Sequence, residues 1–200
     1  KADWVPPAVE QYTRDGKLWG VPQLTDGGIA LYYNKKLLSD AGITPEQLTG
    51  LVWAPGGGSA DTLLPILQKL TVDTAGKRGD ESGFNGAKPK QWGYSAAQDL
   101  QGTYYNFIGS NGGQFQDADG SFVFSSPESV AAFQYIVDLI NKYKVSPAAS
   151  NTNDNGDFTR DQFLQGKIAL FPSGVYNLKH VSAGAKFEWG LAPLPAGPKG

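Results

Sequence analysis

Cysteine is absent from this chain, methionine is absent, and histidine occurs once, at position 180. Without a thiol there can be no cysteine nucleophile, no disulfide framework and no cysteine-based zinc site. A lone His180 beside Lys179 and Val181 supplies no second imidazole for a metal cluster, and no serine near it stands in a nucleophile-elbow pattern. It reads as a surface or helix-end residue. No apolar run approaches the length that crosses a bilayer. The 17 basic residues are scattered against 19 acidic ones, for a net charge of −2, so no basic stripe exists to track a nucleic acid backbone. Residue 1 is lysine, which leads us to expect a processed product or a piece of a longer protein, with localisation unmarked by any signal segment.

What the chain has instead is glycine (26 residues), proline (13) and aromatic rings (12%), in a background that is 40% apolar and 18% charged. That is the profile of a globular protein rich in junctions and flat side chains. Apolar runs of strand type alternate with helical periods, which predicts an α/β fold. The stretch 17–38, KLWGVPQLTDGGIALYYNKKLL, organises the rest. Residues 18–22 form an extended run closed by a proline, 23–28 a polar break holding Asp26 beside two glycines, and 29–33 a β-type run entering a helix at Lys35. Such a sequence suits a chain leaving one domain and entering another.

Before this stretch, Trp4, Val5, Val9 and Tyr12 give one face of a short helix behind Pro6-Pro7, and Asp15-Gly16 turns into a strand at Leu18 that has no early partner. After it, Gly42 predicts a left-handed cap, and Thr44-Pro45-Glu46-Gln47 a helix start. A helix from about Asp61 to Leu70 follows the flexible 55–59 segment, with Pro65 held near its first turn. Residues 71–90 form a polar excursion, 92–94 a strand, and 96–110 a helix with Leu100, Tyr104, Phe107 and Ile108 on one side. Asp119-Gly120 marks a hairpin. Ser126-Pro127 opens the clearest helix, 127–143, whose stripe is Val130, Phe133, Val137 and Ile140. A short helix 159–165, a buried strand 167–171, a turn at 172–174, a helix through Val181 and a strand 187–191 complete the lobe, and 192–195 leaves it extended.

Several clusters offer chemistry. Gly56-Gly57-Gly58-Ser59 lacks the lysine of a phosphate-binding loop and reads as a linker. Asp73, Asp80, Glu81 and Asn85, and the Asn/Asp run 151–157, are hard-oxygen sets that calcium accepts, but neither has EF-hand spacing, and such runs commonly make turns and caps. The pairs Tyr32-Tyr33 and Tyr104-Tyr105 carry phenolates that ferric iron takes; adjacent strand residues face opposite ways, so at least one ring of the first pair belongs to the core. The remaining constellation sets rings among planar polar groups at element ends: Asp26, then Gln98, Asp99, Tyr104 and Tyr105, then Tyr176 and Asn177. Sugars need this mixture, because their C–H faces stack on rings and their hydroxyls must be matched once water leaves. An ordinary α/β domain also uses such residues as caps and core.

The order of segments is more specific than any one of them. KLWGVP with ALYYNKKLL at 17–38 is followed by Trp53 ahead of a helix ending KLT at 69–71, then QWGY at 91–94 and NGG at 111–113. SPESVAAF at 126–133, FLQGKIALF at 163–171 with GVY at 174–176, and WGLAPLPAGPKG at 189–200 complete the series. In this order the chain resembles the extracellular solute-binding proteins of sugar ABC importers, the group that includes maltose-binding protein. The resemblance implies one lobe of a two-lobe, type II periplasmic-binding-protein fold, a mixed sheet flanked by helices, with the other lobe largely missing. It divides the chain into 1–26, the remnant of the first lobe with the first hinge crossing; 27–190, the sugar-facing lobe; and 191–200, the return crossing.

The resemblance also implies di- or oligosaccharide binding between lobes that close about a hinge, without catalysis, metal or cofactor. It makes the permease subunits of an ABC transporter the partner, the protein a monomer, and its place extracytoplasmic, in the periplasm or as a cell-surface lipoprotein anchored ahead of residue 1. Asp26 matches the acidic position after the hinge proline, and Tyr176 the aromatic after the G-x turn, where the family often carries tryptophan as a stacking platform. Gln98, Asp99 and Tyr105 align by region, and Asn177 adjoins Tyr176. Trp53 and Trp189 match packing positions. The alternatives are a same-fold receptor for a non-sugar solute, a glycoside-active enzyme using Asp26 and Asp99 as an acid pair, and a lobe that folds without measurable affinity of its own.

Overall fold

The computed structural model describes residues 4–21, 28–153 and 155–200. The N-terminal segment carries helix α1 (Pro6–Gln11), whose two prolines sit in its first turn, and strands β1 (Thr13–Arg14) and β2 (Lys17–Leu18). The strand at Leu18 does have an early partner, contrary to expectation. Asp15 and Gly16 both take positive φ, 52° and 71°, and fold β2 back onto β1. Two left-handed residues in succession match the twist of a tight hairpin, so the pairing is local.

The lobe is organised around β3 (Ile29–Asn34), the centre of a three-stranded sheet ordered β6-β3-β7. Between β3 and β6 lie α2 (Lys35–Asp40), α3 (Leu63–Leu70), the β4 (Val72–Asp73) and β5 (Pro89–Gln91) hairpin, α4 (Tyr105–Ser110), α5 (Pro127–Asn141), α6 (Ala149–Thr152) and α7 (Phe158–Leu164). Then come β6 (Leu170–Gly174), α8 (Leu178–Gly184) and β7 (Trp189–Ala192). Both neighbours run antiparallel to β3, while isolated parallel bridges, Val52 with Ala196 and Trp92 with Ile168, make the whole arrangement mixed.

Alternation along β3 separates two cores. Leu31 and Tyr33 join the larger one, with Trp53, Leu67, Phe107 and Tyr135, beneath α3, α4 and α5. Tyr32 faces the other way into a smaller cluster with Phe163, Ile168, Phe171 and Val181, beneath α7 and α8. Both tyrosines are therefore core. Tyr32 stacks on Phe171 at 4.9 Å and on Trp189 at 6.0 Å, and its hydroxyl donates to the Gly174 carbonyl. Trp53 is fully buried between Phe107 and Tyr135, and its Nε1 donates to Ser110 Oγ at 3.0 Å. Burial holds the Tyr135 and Tyr94 phenols far above their ordinary range, so both stay neutral.

Capping was legible at Thr44 and Ser126. Asn34 accepts from the Leu37 N–H, Thr44 and Gln47 form a capping box over a short 3₁₀ turn, Asp61 accepts from Leu64, and Ser126 accepts from Ser129. Three further expectations fail. The buried face of α5 is Ser129, Ala132, Tyr135, Ile136 and Leu139, leaving Val130 and Val137 about half exposed. Residues 96–110 are not one helix: a π turn spans Leu100–Tyr104 before α4, and its extra residue rotates Leu100 out to solvent. Pro172-Ser173-Gly174 is strand rather than turn, paired in register with Leu31, Ala30 and Ile29. Because β6 lies at the sheet edge, proline costs it no central ladder bond.

The excursion 71–90 is ordered by one carboxylate. Asp73 Oδ1 accepts from the Ala75 and Lys77 N–H groups, and Oδ2 from Asn85. Those backbone donors, Asn85 foremost, hold its pKa below the usual carboxylate range. Its oxygens are thus turned to the loop itself rather than outward to a cation, and among the described residues no set of three His, Asp or Glu side chains is disposed to hold a metal.

Candidate functional site

The register of the sheet places the start of β3 beside the end of β7, since Leu31 pairs with Ala192, and opposite the end of β6, since Ile29 pairs with Gly174. The chain therefore enters and leaves the sheet at one end. The π turn packs at that end, with Gly102 against the Pro172 carbonyl, where a Cβ would lie 3.2 Å from the oxygen. Asp99 begins the turn, its Oδ1 accepting from Gly102 N at 2.6 Å, and its carbonyl takes the Thr103 and Tyr104 N–H groups.

Between this turn, the N-terminal end of α7 and the end of β6 lies a recess of about 70 Å³. Asp99, Tyr176 and Asn177 all line it, although nearly eighty residues separate the first from the other two. Tyr176 is 48% exposed on the turn after β6, and no other ring stacks on it among the described residues. Asn177 is oriented by donating Nδ2 to Ser173 Oγ at 2.8 Å. Tyr105 stands on a separate, wider cavity of about 480 Å³ with Gly28, Ile29, Gln101, Asn106 and Leu194, between the entering and leaving chain. Asn106 ties α4 to the leaving segment through the Pro195 carbonyl. Gln98 is exposed and lines neither cavity. Asp26 lies outside the described residues, as does most of the first crossing.

Sequence reasoning missed the wall opposite Asp99. Thr159 and Arg160 of α7 line the recess, with Ser95 bonded to Thr159 at 2.7 Å across 64 residues of chain. Arg160 is clamped by Asp157 at 2.9 Å and Asp161 at 3.1 Å. Burial opposes its charge, but the hydrogen bonds to the two aspartates outweigh that and hold its pKa above the ordinary range. The Asp157-x-x-Arg160-Asp161 spacing was the available signal, since charges three apart on a helix meet. Among the described residues the charged groups that line the recess are Asp99 and Arg160, and Arg160 is itself paired with Asp157 and Asp161.

A larger cavity, about 700 Å³, lies elsewhere. Among the described residues it is lined by 11–15, 19 and 20, all from the N-terminal helix and hairpin. His180 is exposed on α8.

The model of the family described as bacterial extracellular solute-binding protein matches residues 1–200. The chain belongs to that family. Among solved relatives, this solute-binding chain is 55% identical to UspC of M. tuberculosis, with a TM-score of 0.88 over 100% of this chain and 49% of that one. It is 27% identical to maltose-bound MalE3 of T. maritima, with a TM-score of 0.68 over 100% of this chain and 46% of that one. A probable ABC transporter-binding protein of Deinococcus radiodurans is 30% identical over 98% of this chain and 43% of its own length. The solute-binding chain thus spans less than half the length of these relatives. The shared architecture is α/β, one lobe of the two-lobe type II fold. The family is one of extracellular substrate-binding proteins rather than enzymes. No described helix is long and apolar enough to cross a membrane.

Proposed function

We infer that the protein binds a di- or oligosaccharide for ABC-type import, enclosing it between two lobes that close about a hinge. One observation carries this reading: Asp99, Tyr176 and Asn177, brought from distant segments, converge at the sheet end where the chain enters and leaves. A half-exposed ring for the sugar's C–H face stands beside carboxylate and amide groups for its hydroxyls. The similarity to a maltose-bound receptor supports the same class of ligand. Residues 27–190 then form the sugar-facing lobe, 1–26 and 191–200 carry the crossings, and Asp26, Gln98 and Tyr105 are further contacts. Asp26 sits in the crossing, and Tyr105 on the wider cavity that two of the entering residues line.

The receptor works as a monomer that delivers its sugar to permease subunits, in the periplasm or as a cell-surface lipoprotein, and releases it unchanged. A same-fold receptor for an anionic solute is disfavoured because the one guanidinium lining the recess is already committed to two carboxylates. Thermal-shift and tryptophan-fluorescence titration of the full-length protein against sugars, amino acids, polyamines and metals tests the reading. Sugars are expected to raise the melting temperature. A response to amino acids, polyamines or metals with none to sugars refutes it, and turnover of a labelled disaccharide would refute the non-catalytic part.

A further inference from the structure

The leaving chain is fastened to the lobe well beyond the end of β7. That strand gives up its pairing at Ala192, opposite Leu31, but the residues after it do not run free. Leu194 packs against the larger core and lines the wide cavity with Tyr105 and Asn106. Asn106 Nδ2 donates to the Pro195 carbonyl at 3.1 Å. Ala196 forms a parallel bridge with Val52: its N–H donates to the Leu51 carbonyl at 2.8 Å, and its carbonyl accepts from the Trp53 N–H at 2.9 Å. The Lys199 N–H donates to the Ser110 carbonyl at 2.8 Å.

A hinge needs residues whose φ and ψ can change by large amounts. Between 193 and 199 the chain has little such freedom. Pro193, Pro195 and Pro198 lock φ through their rings. Pro195 and Gly197 are buried. Gly197 lies so close to the end of α4 that a Cβ there would sit 2.5 Å from the Ser110 carbonyl oxygen. It is a glycine of close approach, not of flexibility. The partners of the segment are also central ones. Trp53 is fully buried, and its indole donates to the hydroxyl of Ser110. Peeling 194–199 away would therefore strand backbone donors and acceptors at the edge of the main core.

We propose that residues 191–199 are a rigid strut of this lobe, moving with it as one body and holding one wall of the wide cavity in place before a ligand arrives. The inference rests on the two-lobe reading above and narrows it: the return crossing assigned to 191–200 carries no bend between Leu191 and Lys199. A ligand seated against Tyr105 and Leu194 meets a wall already formed, which spares the entropy of ordering it on binding.

Residue-resolved hydrogen exchange of the full-length protein, with and without the best sugar of the panel, tests this. In the unliganded protein the Trp53 and Ala196 amides should exchange within about tenfold of the β3 amides, as parts of one cooperative unit do. Any slowing by the sugar should be the same at both places. Faster exchange at Trp53 and Ala196, or slowing there that β3 does not share, overturns the strut while sugar binding stands. Gly197→Ala gives a second measurement. The added Cβ should lower the melting temperature by its contact with Ser110. At a bending point the same change would leave the melt alone and alter affinity instead, and that result also overturns the strut. If Gly197→Ala does not fold, wild-type exchange decides by itself. If no sugar binds, the carbohydrate reading falls, and exchange in the unliganded protein still decides the strut.

Discussion

Replacing Tyr176 with alanine separates a ligand platform from a structural ring. A tyrosine side chain offers about 150–250 Å², and Tyr176 leaves 48% of its surface open. About 100 Å² is therefore available for a ligand to cover. At about 25 cal/mol per Å², complete coverage contributes about 2.5 kcal/mol and half coverage about 1.2 kcal/mol. Tyr176→Ala should then weaken sugar binding by about 7- to 60-fold, at 1.4 kcal/mol per tenfold. The fold should barely notice, because among the described residues no ring stacks on Tyr176, and exposed truncations away from caps and networks stay within about 0.5 kcal/mol. Calorimetric titration with the best sugar of the panel, alongside a thermal melt of the unliganded variant, reads both quantities. Unchanged affinity removes Tyr176 from the site. A large fall in melting temperature would mean that the ring supports the end of β6 rather than the ligand, and the area argument would be wrong.

Other perturbations address the frame. Trp53→Phe loses the indole donor to Ser110 and part of the packing against Phe107 and Tyr135; denaturant unfolding should show a loss of about 1.5–3 kcal/mol. Gly93→Ala drives a Cβ into the Leu67 carbonyl of α3, which cannot yield without moving the helix; about 3 kcal/mol of destabilisation is expected by the same assay. Asp73→Asn should lower the melting temperature at neutral pH, since the amide replaces an acceptor oxygen with a donor that faces N–H groups. Because the folded pKa of Asp73 is depressed, its contribution is present above the unfolded value of about 3.9 and is lost as pH falls through the folded value. The asparagine variant should therefore show a shallower acid limb than wild type in a series of melts against pH.

Local chemistry in the sequence determined where elements begin and stop. Ser126-Pro127 and the Thr44 to Gln47 box are caps whose donors and acceptors lie within three residues of one another, so no tertiary information was needed to find them. The order of short motifs likewise identified the family. The phase of α5 was beyond such reasoning. Its sequence carries two adjacent apolar stripes, and only the position of Trp53 and Phe107 decides that Tyr135 turns inward while Val130 and Val137 turn out. Leu100 was misplaced because a π turn adds a residue that a 3.6 period does not count. In the same way, Pro172 reads as a breaker until the sheet order shows β6 at an edge. For the site, the sequence supplied a list of rings and polar groups, among them Asp99, Tyr176 and Asn177. Tertiary structure decided which of them share a wall, and it added Thr159 and Arg160. Hydrogen-bond partners separated by sixty or more residues leave no periodicity in the chain, so the recess exists only once α7, β6 and the π turn have packed together.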